Sequence, residues 1–289
     1  MGILKLKRGF CFKITCIFFI IVFCICNNPS GVNQGSFTFS VLDIGQGLSQ
    51  IAQDGANAIV WDMGPPGEYE KWKHSYIGSG KPRIDAIVIS HRDIDHSGGL
   101  MHIDTSVNWS GTLVMSSYED SSYLRNMCRN WSKGITCKVI REGEKLDYLD
   151  EVDIECIWPF ESQSPKPCSD QQTNYYSMVF LLRHNLTQVI ITSDIDSSAG
   201  QLISMKYGKT LMSDIMVIPH HGSRYSVNRT FFGYIKPDIA IISCSQNNTY
   251  GHPSDEILKL LMLLGSETLI TYVDSTIVFR SNGFYWERF

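Results

Sequence analysis

Ile84-Asp85-Ala86-Ile87-Val88-Ile89-Ser90, running without a break into His91-Arg92-Asp93-Ile94-Asp95-His96, is the stretch from which the fold can be read. The first seven residues are β-branched or small and, after Asp85, uncharged, which is the pattern of a buried strand. The next six carry two imidazoles and two carboxylates. Loops at strand ends are where a rigid scaffold presents reactive groups. In a tight loop, His91 and Asp93 can face one ion while Asp95 and His96 face a second. Imidazole and carboxylate suit Zn²⁺, and a carboxylate-rich set also accepts harder ions such as Mn²⁺. Gly98-Gly99 follows at once, letting the backbone turn into a helix whose N-terminus lies near the loop.

Two further apolar strands end the same way: Gln188–Ser193 at Asp194, and Asp214–Pro219 at His220-His221. Chance could put one charged loop after a strand, but three such ends argue for a shared centre. Two ions about 3.5–4 Å apart need a common anionic ligand, and a bridging water or hydroxide then serves as nucleophile. Asp194 is the natural bridging candidate.

Outward from these ends, Phe37–Asp43 and Leu48–Gln53 flank a Gly-Gln-Gly turn as a hairpin, and Asn57–Asp62 reads as a third strand. A helix is expected over Glu119–Lys133, strands near Ile135–Arg141 and Val152–Trp158, and the longest loop over Phe160–Asn174. Ser177–Arg183 and Gln188–Ser193 are strands around a His184-Asn185 turn, followed by a helix over Ser197–Tyr207. Pro237–Ser243 is a strand, Ser254–Leu264 a helix, and Thr268–Val273 with Thr276–Arg280 close the chain as strands. Strand-rich halves, each followed by helices, suggest two packed sheets with helices outside, in one domain over residues 36–289.

His91-Arg92-Asp93-Ile94-Asp95-His96 resembles the signature loop of the metallo-β-lactamase superfamily, in the variant where Asp replaces the usual second His. Together with Asp43-Ile44-Gly45-Gln46-Gly47, Pro219-His220-His221-Gly222-Ser223 and Tyr250-Gly251-His252-Pro253, it resembles the ComEC-type competence-protein hydrolase domain over roughly residues 37–281. The resemblance implies an α/β (α+β) fold, a four-layer αββα sandwich, with a dinuclear site between the sheets. His91 and Asp93 would bind one metal and Asp95 and His96 the other. Asp194 would bridge, where the family usually reads Gly-Asp and this chain has Ser193-Asp194. One of His220 and His221 would complete the second site, with His221 favoured and its neighbour facing substrate. Asp62 would support the ligand loop by hydrogen bonds. The superfamily's intermediate His ligand is not evident; Asn174-Tyr175-Tyr176-Ser177 occupies that stretch, with Asn174 and Ser177 as supporting groups.

The implied activity is metal-dependent hydrolysis with two divalent ions, zinc first and manganese second. Phosphodiesters or nucleic acid are the leading substrates, attacked by the bridging hydroxide. Asp95, His220 and His252 are the candidate catalytic groups, and either histidine could protonate the leaving oxygen. Ser223 and Arg224 are candidate substrate contacts, Ser223 also suiting a local helix cap near Tyr225. Asp43, Gly45 and Gly47 read as a turn shaping the site floor. Tyr225, Tyr250 and Trp61 could line a pocket but read first as core, and His184 and His102 read as surface. The alternative activity is extracellular hydrolysis of a non-nucleic substrate, a phosphorylcholine-type or other small ester or lactam. A binding module that kept only the fold should have lost ligands, and this chain retains them.

Lys5, Lys7, Arg8 and Lys13 followed by the apolar run Ile14–Cys26 read as a secretory signal over residues 1–30, or an anchor over residues 9–26. A secreted or extracytoplasmic, free-standing domain is expected, touching the membrane only through that segment and with no stable protein partner inferred. The chain carries −4; without the N-terminal segment 21 basic residues face 29 acidic ones, a net −8. Such a balance disfavours non-specific binding to long nucleic acid. Of the nine cysteines, Cys128–Cys137 and Cys156–Cys168 are close enough in sequence to bridge, leaving Cys244 free.

Overall fold

The computed structural model describes residues 37–161 and 173–289. The expected signal or anchor and Cys168 lie outside the described residues, as does most of the 160–174 loop. In chain order the strands and helices are β1 (Phe37–Val41), β2 (Gln50–Asp54), β3 (Asn57–Trp61), α1 (Tyr69–Gly78), β4 (Arg83–Ile89) and α2 (Ile94–Ser97). Then come β5 (Thr112–Ser116), α3 (Ser121–Met127), β6 (Thr136–Ile140), β7 (Asp153–Trp158), β8 (Val179–His184), β9 (Thr187–Ile191) and α4 (Ser197–Tyr207). The chain ends with β10 (Ile215–Val217), α5 (Arg229–Ile235), β11 (Ile239–Ile242), α6 (Asp255–Leu264), β12 (Glu267–Ile270), α7 (Thr271–Asp274), β13 (Ile277–Ser281) and β14 (Trp286–Arg288).

One sheet runs β14-β13-β1-β2-β3-β4-β5-β6 and the other β12-β11-β10-β9-β8-β7. Alternation along the strands makes the layers. Phe37, Phe39, Ile59 and Trp61 turn inward to meet Phe180, Leu182, Val189 and Ile191 of the second sheet. Ala58, Val60, Ile87 and Ile89 turn outward against Trp72 and Tyr76 of α1 and Leu124 of α3. On the far side, Ile190, Met216 and Ile242 meet Ile203 of α4, Phe231 and Phe232 of α5, and Leu261 of α6. The result is the expected four-layer αββα sandwich. β3 to β6 are parallel, as are β9 to β12, so the carboxyl ends of β9, β10 and β11 gather along one edge. Such edges are where open α/β sheets place ligand sites.

Some local expectations are corrected. α1 was not anticipated, because Gly64-Pro65-Pro66-Gly67 and Gly78-Ser79-Gly80 flank it with turn residues. It forms because Tyr69, Trp72 and Tyr76 stack at helical spacing and are buried on the first sheet. The helix expected over Glu119–Lys133 is confined to α3, capped by Asp120, whose side chain accepts the Ser122 and Tyr123 amides. The strand expected over Thr268–Val273 stops at Ile270 and turns into α7. His184 is only 2% exposed and pairs with Ser281 Oγ at 2.9 Å, so it is not a surface residue. Cys128 and Cys137 are unbridged thiols, as are Cys156 and Cys244. Cys156 instead donates to the Trp158 carbonyl.

Candidate metal centre

The site is built from a buried scaffold of hydrogen bonds. Asp62, directly after β3, is fully buried in the left-handed region at φ 58. Its amide donates to the Val88 carbonyl at 2.8 Å, which locks it beside the end of β4. Its carboxylate accepts the Ser90 amide and the Ser90 hydroxyl, both at 2.8 Å, and meets His96 Nδ1 at 2.8 Å. Ser90 Oγ also lies 3.0 Å from His91 Nδ1. Ser177 Oγ lies 3.3 Å from His91 Nδ1 and accepts the Asp194 amide at 3.1 Å. With Nδ1 of both histidines fixed in this way, Nε2 of each points into the centre.

The second sheet supplies the facing groups. Asp194 follows β9, and His220-His221 follow β10 in a turn that places both histidines at positive φ, 50 and 54. His221 Nδ1 meets the Ser243 carbonyl at 2.8 Å, leaving Nε2 inward. Ser243 in turn donates to the Gly47 carbonyl at 2.7 Å, and Leu48 N–H donates to Asp95 O at 3.1 Å. The Asp43–Gly47 turn therefore ties the ligand loop to the end of β11, forming the floor expected of it. Gly47 is required by space: a Cβ there would lie 2.6 Å from the Asp95 carbonyl.

At the centre, His96 Nε2 lies 3.1 Å from Asp194 Oδ1, and His221 Nε2 lies 3.4 Å from Asp95 Oδ2 and 3.6 Å from Asp194 Oδ2. His91 Nε2 lies 3.5 Å from Asp93 Oδ2, and His220 Nε2 lies 3.9 Å from Asp194 Oδ2. Two overlapping donor sets emerge, His91-His96-Asp194 and Asp95-His96-His221, each with its donor atoms within 4.8 Å of one another. His96 falls in both sets, whereas the sequence assigned it to the second site only. Asp93 is the most open of the expected ligands and accepts from Thr173 Oγ1 at 3.2 Å.

The electrostatics follow from this crowding. Burial disfavours charge on Asp194, yet His96 and His221 outweigh it and hold the carboxyl well below its ordinary range. Burial likewise opposes charge on His96, but Asp194 and Asp62 keep it well above the usual imidazole value. Asp95 is held at about 2: burial pushes it up, and His221 and His96 pull it further down. His221 is raised by Asp194 and Asp95 against its burial. His252 behaves in the opposite way, lowered to about 4 by burial and by the neighbouring His220 and His221. His220 is also lowered, with burial the main cause.

The donor set fits a divalent cation. His91 Nε2, His96 Nε2, His221 Nε2 and Asp194 Oδ1 are all buried without a hydrogen-bond partner, and they face one another. An unsatisfied buried polar atom costs about 1–3 kcal/mol, so a cluster of four calls for a ligand common to all.

Around this centre, Ser177 touches His91 and Asp194 as described. Asn174 sits in the turn before it, its Oδ1 buried and unpartnered. Ser223 is buried and accepts the Tyr225 amide at 3.3 Å, capping a single 3₁₀ turn. Arg224 is exposed on the rim. Trp61 is core, but Tyr225 and Tyr250 are 67% and 70% exposed and are not. Sequence reasoning missed Ser90, Ser243 and Glu119. Glu119 follows β5, itself unanticipated, and accepts the Arg92 amide at 3.2 Å, bracing the ligand loop from the side. Its carboxyl is raised to about 7, chiefly by burial. A larger cavity of about 960 Å³ lies elsewhere, between α1 and the outer face of β1, β2 and β13, and contains none of these donors.

The fold agrees with what the chain is similar to. Residues 42–153 match the metallo-beta-lactamase superfamily. That match spans the ligand loop His91–His96. The chain also has curated relatives over most of its length. It is 24% identical over 276 residues to competence protein ComA of Neisseria gonorrhoeae, covering 90% of this chain and 36% of that protein. It is 26% identical over 262 residues to ComE operon protein 3 of Bacillus subtilis, covering 83% of this chain and 32% of that one. The chain thus spans about a third of the length of these curated relatives. Among solved structures, the metallo-β-lactamase fold protein YhfI of Bacillus subtilis shares the fold at TM-score 0.57 and 12% identity, over 85% of this chain and 100% of that one. Zn²⁺-bound PqqB of Methylobacterium extorquens does so at 0.56 and 10%, over 81% and 97%. Among the described residues, no helix is long and apolar enough to cross a membrane.

Proposed function

We propose that this superfamily hydrolase domain is a metal-dependent phosphodiesterase, with a nucleic-acid strand as its substrate class. The observation that carries the reading is the pair of donor sets, His91-His96-Asp194 and Asp95-His96-His221, which share His96 and hold four buried, unpartnered atoms among them. His91, His96 and Asp194 would hold one divalent ion, and Asp95, His221 and the shared groups a second, with Asp93 closing the open side. Zinc suits the imidazoles and manganese the carboxylates. Bound there, the ions supply charge neutralisation for phosphodiester oxygens and a water of lowered pKa.

The chain's own residues then do the positioning. Asp62, Ser90 and Ser177 fix the rings of His91 and His96, and the Ser243 carbonyl fixes His221. His252 and His220 line the open side and are uncharged at neutral pH. They orient substrate oxygens by hydrogen bonding and accept protons, and do not arrive as charged acids. The proton-donor role expected of them from sequence would need a higher pKa than His252 has. Arg224 on the rim meets a non-bridging phosphate oxygen. One of the relatives is named a competence protein and another recombination protein 2, names that suit a nucleic-acid substrate.

Metal analysis and turnover test the reading. About two ions per chain and cleavage of single-stranded DNA and bis(4-nitrophenyl) phosphate with Zn²⁺ or Mn²⁺ are expected. Loaded protein that cleaves neither would overturn it. The −8 balance outside the N-terminal segment favours a second reading, a small ester such as a phosphocholine. Salt separates the two, since binding of a long strand weakens steeply with ionic strength and turnover of a small ester does not. We place the domain outside the cytoplasm on the basic and apolar pattern of residues 1–26. N-terminal sequencing of exported protein, finding a start near residue 30 or an intact Met1, distinguishes a cleaved signal from an anchor.

A further inference from the structure

Beside the metal centre lies a smaller cleft of about 390 Å³, lined by Arg224 and Tyr225 on one side and by Tyr250, His252, Pro253 and Glu256 on the other. Both tyrosines stand in solvent although each carries a largely apolar ring. Their exposure is not accidental looseness, because the loop carrying Tyr250 is clamped. Asn248 donates from Nδ2 to the carbonyls of Ser245 and His252 at 2.7 and 2.6 Å, and its Oδ1 accepts the amides of Tyr250 and His252 at 3.1 and 2.9 Å. One side chain thus closes the loop and sets Tyr250 and His252 side by side.

This loop is also locked to the loop that carries His220 and His221. Ser254 N–H donates to the Gly222 carbonyl at 2.9 Å. Gly222, at φ 83, packs so closely that a Cβ would lie 2.8 Å from Pro253 Cβ. The consequence is a ladder of near-parallel rings running outward from the donors. His221 and His252 lie 6.3 Å apart at 22°, and His252 and Tyr250 lie 5.7 Å apart at 25°. Tyr250, at the outer end, is 70% exposed. Across the cleft the Arg224 guanidinium lies 5.2 Å over the Tyr225 ring.

We propose that this cleft is a subsite for an unpaired nucleobase next to the scissile phosphodiester, stacked on Tyr250 and bordered by Tyr225. The proposal rests on the phosphodiesterase reading and names the part of the substrate that reading leaves open. A planar ring extends the ladder at the spacing the rings already keep. Aromatic platforms of this kind hold bases regardless of sequence, because each base has a π-face. Arg224 sits where the phosphate of the same nucleotide would need a cation. A quaternary ammonium head group also favours aromatic rings, but here it would meet a guanidinium already lying over Tyr225. The carboxylates of Asp255 and Glu256 at the start of α6 favour a cation instead; they are exposed, and Asp255 faces Lys259.

The full, metal-loaded chain is tested with two esters that share a leaving group: thymidine 5′-(4-nitrophenyl phosphate) and methyl 4-nitrophenyl phosphate. A preference in kcat/KM for the thymidine ester is expected, falling about tenfold in Tyr250→Ala and less in Tyr250→Phe, which keeps the ring; stacking of one base is commonly worth a tenfold change or more. The loss should appear in KM. Calorimetry on the same protein compares hexathymidylate with an abasic hexamer of equal length and charge, and stands whether or not turnover is seen. Tighter binding of hexathymidylate, lost in Tyr225→Ala/Tyr250→Ala, supports the subsite. Equal binding of the two hexamers overturns it while leaving the phosphodiesterase reading intact. A Tyr250 effect confined to 4-nitrophenyl phosphocholine also overturns it and assigns a cation cage. Absence of turnover with each ester overturns the phosphodiesterase reading itself.

Discussion

The first sheet brings its donors to the centre in one six-residue loop, His91 to His96, whereas the second supplies Asp194, His221 and His252 from loops after three separate strands. The two arrangements are stabilised differently. In the ligand loop and its continuation, placement comes from small residues in close contact. A Cβ on Gly98 would collide with Pro66, and one on Gly99 with the Met63 carbonyl. In the second sheet the loops are short and the backbone itself is forced, with Ser193, His220 and His221 all at positive φ. Side chains rarely adopt that region, and such residues persist only where the surroundings over-determine them. Close packing thus dominates the first half and backbone strain the second, with Asp62, at φ 58, a strained position bracing the first. His220 N–H donating to the Ser193 carbonyl at 2.9 Å joins two strained positions directly.

The largest effect should come from removing the group that both halves converge on. Asp194→Ala is expected to lose bound metal and to lower turnover about a thousandfold or more, since several kcal/mol of charge stabilisation leaves with the ions. Metal analysis alongside kinetics checks it, and retention of both ions would break the picture of a shared carboxylate. Next, Gly99→Ala attacks packing in the first half. Overfilling typically costs about 1–3 kcal/mol, and thermal unfolding of the metal-free protein should show it. Asp62→Asn keeps the shape and removes the charge that orients His96. Metal affinity should fall about 10- to 100-fold while the fold survives, measured by competition with a chelator. The smallest effect is expected at Ser193→Gly, which relieves the left-handed backbone. A change in stability within about 1 kcal/mol is expected, toward greater stability unless the entropy of a new glycine cancels it. A loss of several kcal/mol there would show that Ser193 is not strained but held by its side chain.

The same contrast explains what could be read from the sequence. The first half's donors sit within six residues, so the chemistry was legible before any folding. Asp194 and His221 were legible because apolar strands end at them. Ser90, Ser243 and Asn248 carried no such signal. Serine and asparagine are common in loops, and their partners lie far away in sequence, as with Ser243 and Gly47. Glu119 was hidden for a different reason: β5 is short and was not recognised, so the residue that follows it was placed at the start of a helix. α1 was masked by its flanking Gly and Pro residues, although Tyr69, Trp72 and Tyr76 hold it on the sheet. The exposed Tyr225 and Tyr250 were misplaced into the core because ring size alone says nothing about which side of a loop is clamped.

The pairing of His96 with both Asp62 and Asp194 has a consequence for how the site fills. In the metal-free protein, carboxylates hold His96 and His221 above the ordinary imidazole value, so each keeps its proton to a higher pH than a free imidazole does. That charge stabilises the empty fold fully below about pH 6.5 and is lost as pH rises through the raised values. An arriving ion must evict those protons. Loading should therefore release protons into a weakly buffered solution, readable with an indicator dye, and mild acid should empty the site without unfolding it. A centre that takes up metal in this way would exchange protons for it, and the local pH would set how much of it is loaded.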